Sequence, residues 1–294
     1  MKRQSGIQSG IQSGIQPGIQ SGIQSGFSLV ELIVVIVLIG IIGGMLSMQL
    51  LPAIRAYLAV GERAALTHQA DTALRRIAGD VRRAVPNSLR LGSSRCLQLV
   101  PSSDGGRFRN APDFSATPPA GAFLDDNATR QSFDVLTPFS HEPVNGDAIV
   151  IGNQNPGDVH GRVNVAVIDS VGAPPAASMG TRRITLAPGE GLRVPEGYTG
   201  ARFMVIPAAE QTVSYVCDQG KLYRIAYQNL EAAPRCAVAA GAPLLATGVA
   251  TCEFVYSANQ GATQESGFVQ LHLTLGGKEE SVSLTLGAHV DNVP

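Results

Sequence analysis

The pattern of hydrophobic and polar positions begins with one continuous apolar run. Residues 32–51 are 20 consecutive positions without a charged side chain. At a rise of about 1.5 Å per residue, a helix of this length spans about 30 Å, the hydrocarbon thickness of a bilayer. A secretory signal has a shorter apolar core that is followed by an A-x-A-like cleavage site, and neither feature is present here. The run therefore predicts a helix that stays in the membrane.

Beyond this run the apolar positions recur every three or four residues, which is the period of an amphipathic helix. The predicted buried stripe consists of Leu66, Ala70, Ala73, Leu74, Ile77, Val81 and Val85. The opposite, solvated face carries Arg63, Asp71, Arg75, Arg76, Asp80, Arg82 and Arg83. We expect a long helix over 27–85 that ends before Pro86, with any bend or break at Gly43, Gly44 or Pro52. A sheet formed by later residues is expected to cover the stripe.

The rest of the chain is dominated by short alternating or β-branched runs, which are typical of strands. The predicted strands are 148–151, 163–168, 183–186, 202–206, 212–216, 222–227, 253–256, 269–275 and 281–286. The last two flank Gly276-Gly277 and are expected to form a hairpin. Residues 101–147 are rich in Gly, Pro, Asp and Asn, and they predict a long irregular loop. One long helix followed by an antiparallel sheet is an α+β fold.

The balance of basic and acidic residues excludes some classes of protein. The 294 residues include 22 Lys and Arg against 23 Asp and Glu, a net charge of −1. A protein built to neutralise phosphates carries a basic excess, so we expect no nucleic-acid partner. Residues 52–90 are locally basic, but no row of aromatic side chains accompanies them for base stacking. We interpret that segment as a solvated helix face, or as one that meets acidic neighbours.

The residues before the apolar run form a leader in two parts. Lys2 and Arg3 give it a basic start, and residues 5–24 are five four-residue units, of which four read SGIQ and one reads PGIQ. A low-complexity tract of this composition buries no core. Because basic residues are retained on the cytoplasmic side, the pattern predicts a cytoplasmic N-terminus and an extracytoplasmic body.

The junction between leader and helix carries a carboxylate that an apolar helix does not ordinarily hold. Glu31 is the fifth residue counted from Phe27, and Gly26 precedes Phe27. The stretch GFSLVELIVVIVLIGII resembles the N-terminal signature of type IV prepilins and type II secretion pseudopilins. In that family a prepilin peptidase cleaves after the glycine and methylates the new amine. The resemblance implies cleavage after Gly26, N-methylation of Phe27, and a place for Ser28 in the processed sequence.

The same resemblance implies a role for Glu31 in assembly. In a staggered filament the N-terminal amine of one protomer approaches Glu31 of a neighbour. Packed apolar helices strengthen such a pair and penalise an unpaired carboxylate, so the pair would set the docking register. The partners implied are other major and minor pilins, the prepilin peptidase, the inner-membrane assembly platform, and membrane lipid before assembly.

Later segments resemble a narrower group. The stretch DVRRAVPNSLRL at 80–91, the segment from Cys217 to Arg224 and the terminal HVDNVP are similar to minor pilins of the mannose-sensitive haemagglutinin (MSHA) type IV pilus. That group is related to the J-type minor pseudopilins. One alternative function is therefore a minor pseudopilin of type II secretion. A second alternative is a periplasmic binding or enzymatic domain that uses the apolar helix only as a tether.

The resemblance also implies a division of the chain and a location for each part. The predicted parts are a leader at 1–26 that is removed, a membrane half of the helix at 27–51, an amphipathic half at 52–86, and a β-rich domain at 87–294. The protein is expected in the inner membrane with its C-terminal domain in the periplasm, and afterwards at the base or tip of a pilus fibre.

Signatures of catalysis and cofactor binding are not found in the sequence. The five histidines have no paired i,i+4 arrangement, and neither a nucleophile elbow nor a phosphate loop occurs. We therefore expect no enzymatic activity, no cofactor and no metal. Asp125, Asp126 and Asn127 offer oxygens of the kind that Ca²⁺ prefers, but without regular spacing, and we interpret them as a solvated turn.

The four cysteines predict two disulfides in an oxidising compartment. They form no C-x₂-C pair, which argues against zinc. We favour Cys217–Cys236, because it closes a compact segment, and this leaves Cys96–Cys252. Four cysteines allow three connectivities, and the other pairings remain open.

Overall fold

The computed structural model describes residues 26–115, 117, 120–258 and 266–293. The predicted leader repeat lies outside the described residues. The chain divides into two compact units, Met1–Ala56 and Tyr57–Pro294.

The helix α1 runs over Leu29–Arg82 and continues through Pro52 without a break. It begins two residues later and ends three residues earlier than the predicted 27–85. Its part in the first unit is exposed throughout, whereas its part in the second unit has a buried stripe. The buried members are Ala70, Ala73, Leu74, Ile77, Ala78, Asp80 and Val81. The predicted stripe is thus confirmed, but the placement of Asp80 on the solvated face is wrong.

Fourteen strands follow among the described residues, and every pairing between them is antiparallel. They are β1 (Arg90–Ser93), β2 (Cys96–Leu99), β3 (Asp104–Arg107), β4 (Ser132–Val135), β5 (Ala148–Ile151), β6 (Val165–Gly172), β7 (Arg182–Leu186), β8 (Arg202–Ile206), β9 (Thr212–Asp218), β10 (Lys221–Tyr227), β11 (Leu244–Thr247), β12 (Val249–Ser257), β13 (Ser266–Gly276) and β14 (Ser281–Asp291). One long helix packed on antiparallel sheets confirms the α+β fold.

Two sheets cover the amphipathic stripe of α1. One has the strand order β1-β2-β9-β10-β11 and the other β12-β13-β14. Ile77 on the helix shares one hydrophobic core with Leu97, Tyr215 and Leu271 from these sheets. The predicted hairpin across Gly276-Gly277 is confirmed, with eleven paired positions between β13 and β14.

The third sheet, with the order β3-β8-β5-β6-β7-β4, is inserted between β2 and β9. Its two edge strands meet, because Phe108 and Val135 form a β-bridge and the Leu136 amide donates to the Arg107 carbonyl at 2.8 Å. The sheet therefore closes into a small barrel with a hydrophobic core of its own, in which Phe133 is fully buried.

The expectation of an irregular loop over the whole of 101–147 is wrong, since β3 and β4 both lie within it. Each has four residues, and β3 reads DGGR, which carries no strand signal of its own. It is a strand because its backbone pairs with β8 over four positions. Tertiary pairing has overridden the local preference of the glycines.

The favoured disulfide pairing is also wrong. The structure joins Cys96 to Cys236 and Cys217 to Cys252. The reason is the alternation of side chains along a strand: Cys96 lies directly opposite Val216, so Cys217, the next residue, points to the other face. Cys217 and Cys252 lie in the core beneath α1, while Cys96 and Cys236 lie in a separate cluster.

Candidate functional site

The predicted processing residues lie at the start of α1. Gly26, Phe27 and Ser28 precede the first helical residue, Leu29, and are not helical. Ser28 is the N-cap: its hydroxyl oxygen accepts a hydrogen bond from the Glu31 amide at 3.2 Å, and its carbonyl accepts one from the Leu32 amide at 3.1 Å. Serine is a favoured N-cap because this bond satisfies an amide that lacks a helical partner. The cap therefore fixes where the helix begins, two residues after Phe27.

The residues around the Gly26–Phe27 bond are open to solvent. Phe27 is 79% exposed, and among the described residues, apart from its chain neighbours, a Cβ added at Gly26 would meet no atom within 4 Å. A peptide bond that is accessible and not helical suits a protease, because the helix need not unfold before cleavage.

Glu31 lies in the first turn of α1, where a carboxylate interacts favourably with the helix dipole. Its side chain is exposed, and within the described residues its carboxylate makes neither a hydrogen bond nor an ion pair. The structure thus places Glu31 one helical turn from Phe27 and leaves its carboxylate available to a group from another molecule.

The first unit of the chain exposes a continuous apolar helix surface. Every described residue of this unit is exposed, and residues 32–51 of α1 carry no charge. Leu32 and Leu46, for example, are 55% and 54% exposed. The helix is long and apolar enough to cross a membrane, which agrees with membrane anchoring.

The sequence did not reveal a buried polar network that joins α1 to the sheet. Asp80 is 2% exposed, and its carboxylate accepts hydrogen bonds from Tyr215 Oη at 2.5 Å and from Arg224 Nε at 2.8 Å. Arg224 also binds Glu210 through two nitrogens, at 2.9 and 2.7 Å. The position of Asp80 in the helix could have indicated its burial, since it lies next to Val81 and three residues after Ile77, both of which belong to the buried stripe.

The second unit contains no cluster suited to a metal among its described residues, where no group of three or more His, Cys, Asp or Glu side chains is arranged to hold an ion. Asp125, the residue considered for Ca²⁺, accepts hydrogen bonds from the Ala128 amide at 3.1 Å and from Arg130 at 2.9 Å. Burial raises the pKa of Asp125, but these hydrogen bonds outweigh it and leave the pKa below its usual range. Asp125 is thus engaged within its own turn.

Comparison with known proteins gives one match. Residues 23–47 match the family described as the prokaryotic N-terminal methylation motif. That range contains Gly26, Phe27, Ser28 and Glu31. Neither the curated proteins nor the solved structures gave a match. The matched motif at the start of an exposed apolar helix supports a type IV pilin-like protein that is processed at its N-terminus.

Proposed function

We propose that this chain is a minor pilin of an MSHA-type pilus, similar to the minor pilin MshO, and that it helps to initiate, assemble or cap the fibre. The observation that carries the proposal is the methylation motif at 23–47, which coincides with the capped start of the apolar helix. The resemblance of 80–91 and of the C-terminal HVDNVP to this group supports the narrower choice.

In this proposal the prepilin peptidase cuts after Gly26 and methylates the amine of Phe27. The exposed, non-helical backbone at Gly26 supports this step. The mature chain then begins two residues before α1, and Ser28 still caps the helix. The new amine and the Glu31 carboxylate lie about one helical turn apart along the chain.

Glu31 acts in this proposal as the residue that sets the register of assembly. An ionised carboxylate within a bilayer costs on the order of a few kcal/mol. A neighbouring subunit's N-terminal amine would offset that cost only where the two helices dock with the correct stagger. The absence of any partner for the carboxylate within the described residues of α1 supports a partner from another subunit.

The proposed location follows from the same features. Lys2 and Arg3 would keep the N-terminus in the cytoplasm, and the domain after the helix would lie in the periplasm. Two disulfides are favoured in such an oxidising compartment. The proposed partners are membrane lipid, the peptidase, the inner-membrane assembly platform, and then other pilins.

A minor pseudopilin of type II secretion is the second candidate, because the methylation motif is common to both assemblies. The third candidate is a membrane-tethered binding domain, which the inserted barrel with its own core favours. A helix that serves only as a membrane tether has no use for a carboxylate in its apolar segment. The effect of replacing Glu31 therefore distinguishes a role in assembly from a role as a tether.

The experiment that tests the proposal replaces Glu31 by leucine in a strain that makes the pilus. We expect the subunit content of sheared fibres to fall at least about tenfold, which corresponds to about 1.4 kcal/mol of lost docking energy. Both disulfides should still form, since the Glu31 side chain is exposed and precedes the first cysteine, Cys96, by 65 residues (96 − 31). Val30→Leu, at the adjacent apolar position, is the matched control and should assemble normally. Normal incorporation of the Glu31→Leu subunit would contradict the role of Glu31.

A further inference from the structure

The outer face of the inserted barrel holds two arginines side by side. Arg107 on β3 lies directly opposite Arg202 on β8. The neighbouring pair is hydrogen-bonded, since the Phe108 amide donates to the Ala201 carbonyl at 3.0 Å. Arg107 and Arg202 therefore form a non-hydrogen-bonded pair, in which the Cβ atoms are about 4.5–5.5 Å apart. Their guanidinium groups extend from neighbouring points of one surface.

Neither arginine has a carboxylate partner within the described residues: no ion pair of 4.0 Å or less involves Arg107 or Arg202. Other arginines of the inserted segment do reach a carboxylate, namely Arg130, Arg162, Arg182 and Arg183. Like charges directly opposite each other on a sheet are destabilising. An anion that binds between the two guanidinium groups would offset their repulsion and stabilise the fold.

The two arginines line a cavity of about 380 Å³, which we name the paired-arginine pocket. Its apolar wall includes Val85, three residues after the end of α1, and the paired residues Val150 on β5 and Met204 on β8. A volume of this size lies within the range of small-molecule sites. The combination of an apolar wall with two cationic groups fits a ligand that is anionic at one end only.

Two carboxylates also line the pocket, and one of them is fully engaged elsewhere. Asp104 accepts the amides of Gly105 at 2.7 Å, Ser140 at 2.7 Å and His141 at 2.6 Å. Asp291 accepts the Val293 amide at 3.0 Å through one oxygen. The formal charges of the lining balance, but neither carboxylate lies within 4.0 Å of a guanidinium nitrogen of Arg107 or Arg202 in an ion pair, so the N–H donors of both arginines are left for a ligand.

The backbone under Arg202 is held in place. The Tyr198 hydroxyl donates to the Arg202 carbonyl and accepts from the Arg202 amide, both at 3.1 Å. These two hydrogen bonds to one side chain fix the start of β8, so the backbone that carries the Arg202 side chain is preorganised. Gly105, two residues before Arg107, leaves the adjacent outer position without a side chain.

We propose that the paired-arginine pocket binds a small organic anion, in which a carboxylate or phosphate group meets Arg107 and Arg202 and a ring or apolar body lies against Val150 and Met204. Guanidinium groups bind both of these anions through paired N–H donors, and such charge-assisted bonds are stronger than neutral ones. The inference does not depend on the proposed pilin function.

The test uses the full chain in detergent and measures binding by calorimetry. The probes are D-glucuronate for the carboxylate, glucose 6-phosphate for the phosphate, inorganic phosphate for the anion alone, and glucose as the neutral probe. We expect at least one sugar anion to bind at millimolar concentration or below, more tightly than glucose. Arg107→Gln and Arg202→Gln should each weaken binding about tenfold or more, because each removes charge-assisted hydrogen bonds.

Arg193→Gln is the matched control, since Arg193 is an exposed arginine of the inserted segment outside the pocket, and it should bind like the parent. Without ligand, Arg107→Gln should unfold at the same or a higher temperature, because a like-charge contact is removed. The proposal is overturned if no anionic probe binds at millimolar concentration, or if all four proteins bind equally. It is equally overturned if Arg107→Gln destabilises the unliganded chain, since the arginine would then be structural.

Discussion

At the scale of single residues, the Asp80 carboxylate joins α1 to the sheet through polar contacts. It is almost fully buried, and so is Tyr215, which donates a hydrogen bond to it. Arg224 and Arg83 approach the same carboxylate at 2.8 and 2.9 Å. Burying an ion pair is costly, but removing one member leaves the other charge uncompensated. The network therefore specifies one orientation of the helix against β9 and β10.

We predict that Asp80→Asn lowers the free energy of unfolding of the second unit by about 3 kcal/mol, because the buried Tyr215 hydroxyl and Arg224 both lose a charged acceptor and Arg224 keeps only its ion pair with Glu210. Denaturant unfolding followed by circular dichroism measures the change. Asp71→Asn is the control, because Asp71 also pairs with an arginine, at 2.7 Å, but on the exposed face of the same helix. Its effect should stay below about 1 kcal/mol. Equal losses in the two variants would show that burial of Asp80 does not matter.

The burial of His160 makes the free energy of unfolding of the second unit depend on pH. Its Nε2–H donates to the Ser88 carbonyl at 2.8 Å, and its Nδ1 has no hydrogen-bond partner among the residues that the structure describes. Burial, aided by the nearby charge of Arg90, lowers the pKa of His160 to about 4, against the opposing effect of the Ser88 hydrogen bond. Between about pH 6.5 and pH 4 the unfolded chain then binds a proton that the folded chain does not. Stability falls as the pH falls through this window.

The expected loss is about 3 kcal/mol over the window, from 1.36 kcal/mol per pKa unit. Urea unfolding at pH 7 and pH 4.5 gives the slope, and His160→Gln should flatten it. The ring resonances of His160 provide an independent measurement by NMR, with a midpoint near pH 4. A midpoint near 6.5, or an unchanged slope in the variant, would contradict the burial of a neutral ring.

At the scale of secondary-structure elements, the two disulfides join parts that the backbone ladders leave separate. Cys217 on β9 is bonded to Cys252 on β12, so the two sheets beneath α1 are linked. Cys96 on β2 is bonded to Cys236, in the segment between β10 and β11. Side-chain alternation, rather than distance along the chain, determines which cysteines meet.

Peptide mapping without reduction should therefore find Cys96 linked to Cys236 and Cys217 linked to Cys252. Replacing both Cys217 and Cys252 by alanine should cost about 4 kcal/mol in the chain-entropy model, for a sequence separation of 35 residues. Thermal unfolding measures that loss. A peptide that links Cys217 to Cys236 would contradict the strand register of β2 and β9.

Some of these elements could be predicted from the sequence and others could not. The helical period placed the buried stripe of α1 correctly, and the strong β runs, such as Val269 to Leu275, are strands. The strand β3 was not predictable, because DGGR becomes a strand only through its pairing with β8. Closure of the barrel depends on contacts between Phe108 and Val135, which no local pattern encodes. The motif at Gly26 and Glu31 was recognisable because its residue types stand at fixed spacing beside an apolar run.

At the scale of the whole molecule, the second unit combines a helix-and-sheet core with an inserted barrel. The chain leaves the first sheet after β2 and returns to it at β9. The insertion begins and ends side by side, since Asp104 on β3 is paired with Val205 on β8. The barrel has its own core, and a third cluster that includes Val85 and Val150 joins it to the end of the helix segment. The paired-arginine pocket lies beside that junction, so a ligand there would be held by the insertion rather than by the helix.

The central claim is that this chain is a processed pilin-like subunit, and its mature N-terminus tests that claim most directly. The measurement is the intact mass, with N-terminal peptide mapping, of the protein from membranes that contain an active prepilin peptidase. We predict a chain of 268 residues (294 − 26) that begins with N-methylated Phe27. An unprocessed chain that begins at Met1 would contradict the account, and the membrane-tethered domain would then be the better explanation.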